Sequence, residues 1–158
     1  MIFVTIGTQA PFDRLIKELD DIAADSAERF VAQVAHGGTY TPRHMETVDF
    51  LPAEKFQHYF DMARVIVSHA GMGTIISALS SRKPIIVVPR LAELGEHRNN
   101  HQVDSAKAMK ETGMVYAPDT FEELRELLSP ATRLKPLRCI NSEGGRSIAQ
   151  RIITETFF

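Results

Sequence analysis

The chain has 158 residues, of which 44% are hydrophobic and 24% are charged, as in one ordinary globular domain over residues 1–158. Its formal net charge of -2, with basic and acidic residues well mixed, argues against a nucleic-acid partner. The single cysteine, Cys139, excludes an intrachain disulfide and a multi-cysteine zinc site. No segment approaches the ~20 apolar residues of a membrane span, and no signal segment opens the chain. We therefore expect a cytoplasmic protein that binds small molecules or proteins.

The first half of the chain alternates strand-like and helix-like segments. The opening run Met1–Ile6 (MIFVTI) is short and rich in β-branched residues, which indicates a strand that ends at a glycine turn. Apolar residues then recur at helical spacing over Phe12–Ala24. The next predicted elements are strands at Phe30–Ala35 and Met45–Leu51, a helix opened by Pro52 that runs to about Met62, and a short buried strand at Val65–Val67.

The second half continues the alternation. The proline-bounded apolar run Pro84–Pro89 (PIIVVP) is typical of a central parallel strand covered on both faces. Gly113 is expected to end the helix before it, and Asp119 or Thr120 to cap the next one. The predicted elements here are a helix from the Ser68–Thr74 loop to about Ser81, the strand Pro84–Pro89, the helix His97–Gly113, the strand Met114–Ala117, the helix Phe121–Leu128 and a last helix at Ser142–Phe157.

Alternating strands and helices of this length predict an α/β fold with a Rossmann-like, open and mostly parallel sheet. In such sheets, ligands bind beyond the carboxyl ends of the strands. The loops that follow the strands are therefore the candidate functional segments.

The loop Ser68–Thr74 (SHAGMGT) places two glycines between a buried strand and a helix start. The backbone can approach a ligand closely there, and free N–H groups and the helix dipole attract an anion. His69 and Thr74 add side-chain donors, so the loop predicts a diphosphate site. The same pattern also occurs where a strand and a helix simply pack tightly.

A second glycine turn, Gly7-Thr8, follows the first strand and should open on the same edge of the sheet. Two such loops on one edge strengthen the interpretation as a phosphate site. The structural alternative is that Gly7 is a turn residue with positive φ and that Thr8 caps the helix beginning near Phe12.

The polar segment Glu93–Gln102 (ELGEHRNNHQ) follows the proline-bounded strand, again on the ligand edge. Its paired donors and acceptors suit sugar hydroxyls. Alternatively, it is a solvated loop in which Asn99 or Asn100 caps the next helix. His97 and His101 stand at helical spacing, but no third metal ligand lies nearby, so we expect no metal site.

Three motifs in order closely resemble the C-terminal domain of family 28 glycosyltransferases. They are Phe3–Ile16 (FVTIGTQAPFDRLI), Val65–Pro89 (VIVSHAGMGTIISALSSRKPIIVVP) and Gly95–Gln102 (GEHRNNHQ), the last continued by Ala106–Gly113. The resemblance covers Met1 to about Leu128. The first motif is similar to the split, two-subunit members: the catalytic subunit of the UDP-N-acetylglucosamine transferase of dolichol-oligosaccharide synthesis, and bacterial exopolysaccharide glycosyltransferases of the PssE and EpsF type. The resemblance implies a GT-B C-terminal-type domain that binds a UDP-sugar.

The resemblance also implies roles for individual residues. Both glycine loops resemble diphosphate-binding elements, with His69 stabilising the leaving group. The backbone near Phe50 and Leu51 resembles the place that reads uracil, and His101 and Gln102 resemble the pair that faces the donor sugar. Related enzymes of peptidoglycan synthesis carry an acidic ribose-binding residue where this chain has Ser77. The full expected substrate-binding set is Gly7, Thr8, Phe50, Leu51, His69, Ala70, Gly71, Met72, Gly73, Thr74, Ser77, His101 and Gln102.

In the split members the donor domain is a free chain, so the resemblance implies a separate membrane-associated partner that carries the acceptor site and the general base. The expected reaction is inverting transfer of a sugar from a UDP-sugar to a lipid-diphosphate-linked acceptor at the inner face of the membrane, without a metal or other cofactor. A non-catalytic nucleotide-sugar-binding module is the alternative. The last helix, ending in Phe157-Phe158, is expected to dock on the partner or to pack on the sheet.

Overall fold

The computed structural model of the chain describes residues 1–137, in which strands and helices alternate. The predicted helix at 142–158 with its docking role, and Cys139, lie outside the described residues. A short 3-10 helix, Ala92–Leu94, precedes the fourth α-helix. The other elements are β1 Ile2–Thr5, α1 Asp13–Ala24, β2 Phe30–Gln33, β3 Glu46–Val48, α2 Ala53–Met62, β4 Val65–Ser68, α3 Met72–Ser80, β5 Ile85–Val87, α4 His101–Glu111 and α5 Phe121–Leu128.

The strands form one five-stranded sheet in the order β3-β2-β1-β4-β5, and every neighbouring pair is parallel. This confirms the predicted Rossmann-like α/β class. In the register of the sheet, Thr5 at the end of β1 lies beside Gln33 of β2 and Ser68 of β4. The loops after β1 and β4 therefore leave the sheet side by side.

Helices cover both faces of the sheet because alternate residues of each strand point in opposite directions. Ile2 and Val4 of β1 pack in a cluster with α1 and α5. Phe3, between them in sequence, belongs to a second cluster with α2, α3 and α4. β1 is buried along its whole length and is the middle strand of the sheet.

The prediction that Pro84–Pro89 is a central strand was wrong in position. β5 is the last strand in the sheet order, although Ile85, Ile86 and Val87 are all buried. Its outer side is covered in part by Tyr116, which exchanges backbone hydrogen bonds of 2.8 and 3.0 Å with Val87 and Ile85. The predicted strand Met114–Ala117 amounts to this single parallel bridge between Tyr116 and Ile86.

The predicted helix His97–Gly113 begins four residues later, at His101. Side-chain hydrogen bonds hold the preceding residues in another conformation: the Asn99 amide oxygen accepts from the His101 N–H at 3.1 Å, and that of Asn100 accepts from the Ala92 N–H at 3.1 Å. The other end is as predicted, since Gly113 follows the helix with a φ of 70°.

The remaining boundaries follow local sequence signals. The Thr120 hydroxyl accepts from the Glu123 N–H at 3.1 Å, so the predicted cap of α5 is confirmed at Thr120. The edge strand β3 is shorter than predicted, and all three of its residues are exposed. Among residues 1–137, no helix combines the length and the apolar character needed to cross a bilayer.

Candidate functional site

A polar cleft of about 350 Å³ opens at the edge of the sheet where the parallel strands end. The turn after β1 forms one wall, and the segment that leads from β5 to α4 forms another. The cleft is lined by Ile6, Gly7, Thr8, Gln9, Ala10, His69, Arg90, Glu96, His97 and Gln102.

A second cleft of about 280 Å³ adjoins the first and shares His97 and Gln102 with it. It lies between the loop after β4 and the start of α4. Its lining residues are Ala70, Met72, His97, Arg98, Asn99, His101, Gln102 and Ser105.

The His69 imidazole lies between the two glycine loops. A Cβ atom built on Gly7 would lie 3.2 Å from the His69 Cε1 atom, and one on Gly71 would lie 2.4 Å from its Nε2 atom. Real Cβ atoms do not approach a neighbour as closely as 2.4 Å, so the ring occupies a slot that any side chain at position 71 would fill. Gly7 also has a φ of 81°, so its predicted turn conformation is confirmed.

Both loops present backbone N–H groups without a backbone acceptor. In the described residues this holds for Gly7, Thr8 and Gln9 in the first loop, and for Met72, Gly73 and Thr74 in the first turn of α3. Free N–H groups of this kind, together with the helix dipole, attract anions. Phe12, and not Thr8, occupies the N-cap position of α1, so the alternative role for Thr8 as a helix cap was wrong.

His69 is neutral at physiological pH. Burial is the largest cause, and the nearby Arg90 charge acts in the same direction, so the pKa of His69 falls to about 4 although the Thr5 backbone opposes the shift. Its Nδ1 atom is buried and makes no hydrogen bond within the described part of the chain. The neutral ring has one N–H group, and because Nδ1 is buried, the tautomer that carries the proton on Nε2 is the one that can donate to a ligand oxygen.

Arg90 and Glu96 are cleft residues that sequence reasoning did not single out. The Arg90 guanidinium donates to the carbonyl oxygens of Ile6, Ala10 and Pro11 at 2.7 to 3.0 Å. Glu96 lies in the polar segment, where its carboxylate forms an ion pair at 3.0 Å. A basic residue directly after an apolar strand, on the ligand edge, is the signal that points to Arg90.

Glu96 joins the segment after β5 to helix α1. Its carboxylate accepts from the Arg14 guanidinium at 3.0 to 3.2 Å and from the Leu91 N–H at 3.0 Å. Arg14 also donates to the Pro89 carbonyl at 3.1 Å. The wall of the first cleft that Glu96 lines is therefore anchored to α1.

The structure brings together only part of the expected site. Gly7, Thr8, His69 and Gln102 line the first cleft, and Ala70, Met72 and His101 line the second together with Gln102. The Gln102 amide oxygen accepts from the Arg90 N–H at 3.0 Å, which fixes this side chain at the junction of the two clefts. The residues placed in neither cleft are Phe50, Leu51, Gly71, Gly73, Thr74 and Ser77.

Three of these outlying residues have surroundings that bear on their expected roles. The Leu51 N–H already donates to the Gln33 side-chain oxygen at 2.9 Å, whereas the Phe50 side chain is 62% exposed. Ser77 is exposed on α3. The expected contacts of these residues with uracil and ribose remain predictions.

No group of three or more His, Cys, Asp or Glu residues within 1–137 is arranged to hold a metal ion. The first cleft is lined by the free N–H groups of Gly7, Thr8 and Gln9 and by the Arg90 guanidinium, which can attract an anion, and also by the Glu96 carboxylate.

A parallel sheet with helices on both faces and a polar cleft at the carboxyl ends of its strands defines a Rossmann-like α/β domain, a fold whose ligands bind at that edge. Residues 1–151 match the glycosyltransferase family 28 C-terminal domain, and the chain belongs to this family. The predicted family is thereby confirmed.

The chain is similar to the "UDP-N-acetylglucosamine transferase subunit ALG13" of two organisms. With the Homo sapiens protein it is 29% identical over 126 residues, which cover 73% of this chain and 11% of that protein. With the Eremothecium gossypii protein it is 34% identical over 93 residues, which cover 57% of this chain and 44% of that protein. The chain thus matches less than half of the length of either relative.

Solved structures share the fold. The NMR solution structure of ALG13 has a TM-score of 0.64 at 20% identity, with 99% of this chain and 96% of that chain covered. The calicheamicin glycosyltransferase CalG4 has a TM-score of 0.59 at 18% identity, with 98% of this chain and 39% of that chain covered. The fold is therefore that of GT-B C-terminal domains.

The depressed pKa of His69 predicts how stability depends on pH. The folded-state pKa of about 4 lies below the ordinary 6.5, so the unfolded state binds the proton first as pH falls. Above pH 6.5, the contribution of His69 to the free energy of unfolding should be complete. It should decrease by about 3 kcal/mol as the pH falls to 4. Urea unfolding across this range should show the decrease in the wild type and in His58→Gln, an exposed control, but less of it in His69→Gln. Equal slopes in all three proteins would contradict this assignment.

The slot around His69 predicts that two neighbouring glycines respond oppositely to alanine. Gly71→Ala must displace the ring and should lower the free energy of unfolding by about 1–3 kcal/mol. Gly73→Ala meets open space inside a helix and should be neutral or raise it by up to about 1 kcal/mol. Urea unfolding measures both effects. NMR titration should show that the pKa of His69 rises toward 6.5 in Gly71→Ala but not in Gly73→Ala. An unchanged His69 pKa in Gly71→Ala would contradict the close packing of the ring against Gly71.

Proposed function

We propose that this chain is the donor-binding catalytic subunit of a two-component, inverting glycosyltransferase. It would transfer a sugar from a UDP-sugar to a lipid-diphosphate-linked acceptor in polysaccharide or glycolipid assembly. The observation that carries the proposal is the set of free N–H groups that two loops present on either side of His69. Membership of the glycosyltransferase family supports a nucleotide sugar as the anion.

The chemical work of the subunit is stabilisation of the leaving group. When the bond between the anomeric carbon and the diphosphate oxygen breaks, negative charge grows on UDP. In this proposal, the N–H groups of both loops and the neutral His69 side chain offset that charge without reorganisation and without a metal. The acceptor oxygen attacks the opposite face of the sugar, and its proton passes to a general base on the partner subunit.

The two clefts suggest how the rest of the donor is placed. Gln102 lies at their junction, and His101 lines the second cleft, so both suit contacts with the sugar hydroxyls. UDP-N-acetylglucosamine is the first donor to test, because both relatives are named as subunits of a UDP-N-acetylglucosamine transferase. If uracil is recognised near Leu51, it would bond to the Leu51 carbonyl group. Bonding to the Leu51 N–H would first require that group to break its hydrogen bond with the Gln33 side chain.

A partner subunit supplies the acceptor site in this proposal. The relatives are described as subunits of a transferase, which supports a second chain. We propose that this partner is membrane-associated and recruits the chain to the cytoplasmic face of the membrane, where a lipid-linked acceptor is held.

Calorimetric titration of the chain with UDP, UDP-N-acetylglucosamine, ADP and NAD tests the donor site. We expect uridine nucleotides to bind in preference to ADP and NAD. His69→Ala should weaken UDP binding by about tenfold or more, because one hydrogen bond to a charged group is lost. His58→Ala, which removes an exposed histidine on α2, should bind UDP as the wild type does. Preference for ADP or NAD, or unchanged affinity in His69→Ala, would overturn the site.

A non-catalytic nucleotide-sugar-binding module would use the same loops, so binding alone does not separate the two functions. The two functions are separated by reconstitution of the chain with the membrane-associated partner, a lipid-linked acceptor and a labelled UDP-sugar. We expect transfer that needs both chains and that falls in His69→Ala at saturating donor, since the lost interaction strengthens in the transition state. Donor binding without transfer in the assembled complex would favour the module.

A further inference from the structure

Arg90 is the most buried charged side chain near the first cleft, with 4% of its surface exposed. Nη1 donates to the Pro11 carbonyl at 2.7 Å, and Nη2 donates to those of Ile6 and Ala10 at 3.0 and 2.8 Å. The guanidinium carbon lies 4.8 Å from the centre of the Phe12 ring. All of these contacts are made with the turn after β1 and the first residue beyond it.

The charge of Arg90 has no carboxylate in ion-pair contact within residues 1–137. The neighbouring Glu96 is paired with Arg14 instead, at 3.0 Å. Carbonyl oxygens are the hydrogen-bond acceptors of the guanidinium, and Glu96, which is paired with Arg14, attracts it only through space. One carboxylate between two guanidinium groups leaves a net positive charge at the wall of the cleft. Such a charge, partly withdrawn from water, attracts an anion more strongly than an exposed one does.

The hydrogen bond to Ile6 also fixes the direction of a donor. A trans peptide places its C=O and the following N–H on opposite sides, and no cis peptide is present in the described residues. When the Ile6 carbonyl points to Arg90, the Gly7 N–H must point away from the guanidinium. The backbone of Arg90 is itself held by the Gln102 side chain at 3.0 Å.

We propose that Arg90 is the positioning residue of the nucleotide-diphosphate site: it holds the turn from Gly7 to Pro11 in its binding conformation, and its unpaired charge adds to the attraction for the diphosphate. This inference rests on the proposed function for its ligand but not for the role of Arg90 in the turn. It links the segment after β5, through one side chain, to the loop after β1.

Arg90→Lys is the informative variant, because it keeps the charge and loses the planar fork that reaches three carbonyls. The turn should loosen, so the heteronuclear NOE of the Gly7, Thr8 and Gln9 amides should fall in the free protein. UDP affinity should decrease by about tenfold or more. The matched control is Arg64→Lys. The Arg64 guanidinium also donates to a carbonyl oxygen, that of Leu128 at 2.9 Å, and it donates to the Glu28 carboxylate. None of these residues lines the cleft. Arg64→Lys should leave both measurements unchanged.

The outcomes separate the two proposals. Wild-type protein that does not bind UDP refutes the proposed function, whereas the NOE comparison still decides whether Arg90 holds the turn. Unchanged NOE values, or wild-type UDP affinity in folded Arg90→Lys, would overturn the role of Arg90. If Arg90→Lys does not fold, Phe12→Leu replaces it: removal of the ring beneath the guanidinium should lower the same NOE values and UDP affinity, and no change in either refutes the proposal.

Discussion

The contact on which the site depends is the packing of one imidazole against two glycines. His69 lies where the loops after two adjacent strands converge; a side chain at Gly71 would take the space of the ring, and one at Gly7 would press against it. The parallel register of β1 and β4 brings those loops together, and the absent Cβ atoms let them close on the ring. Burial in this slot keeps His69 neutral, so the ring carries an N–H group but no positive charge.

The positive electrostatic potential at the cleft therefore comes from groups other than His69. The backbone supplies uncompensated N–H groups from two loops, and Arg90 supplies a charge that is bonded only to carbonyl oxygens. This division suits the proposed reaction, in which the leaving group gains negative charge, because fixed dipoles stabilise that charge without moving. The ion pair between Arg14 and Glu96 joins the part of the cleft wall that Glu96 lines to α1.

The main elements and the parallel sheet were predictable from the sequence, whereas the strand order and the hydrogen bonds of particular side chains were not. The motif SHAGMGT indicates a strand, a glycine turn and a helix start because each step depends on neighbouring residues. The edge position of β5 depends on which strands pair, and its apolar run describes burial but not neighbours. The role of Arg90 was not predicted because its hydrogen-bond acceptors lie about 80 residues earlier in the chain. The late start of α4 reflects side-chain bonds of Asn99 and Asn100 that compete with helix formation.

The free N–H groups of the two loops have a consequence for mutational mapping. A main-chain donor survives every substitution except proline, so alanine scanning of Thr8, Gln9 or Met72 removes side chains and leaves these groups in place. A scan would thus assign most of the ligand affinity to His69 and Arg90 and overlook the backbone. Replacing single amides with esters, which deletes the N–H while the side chain stays, is the chemistry that would reveal how much of the site is built from the main chain.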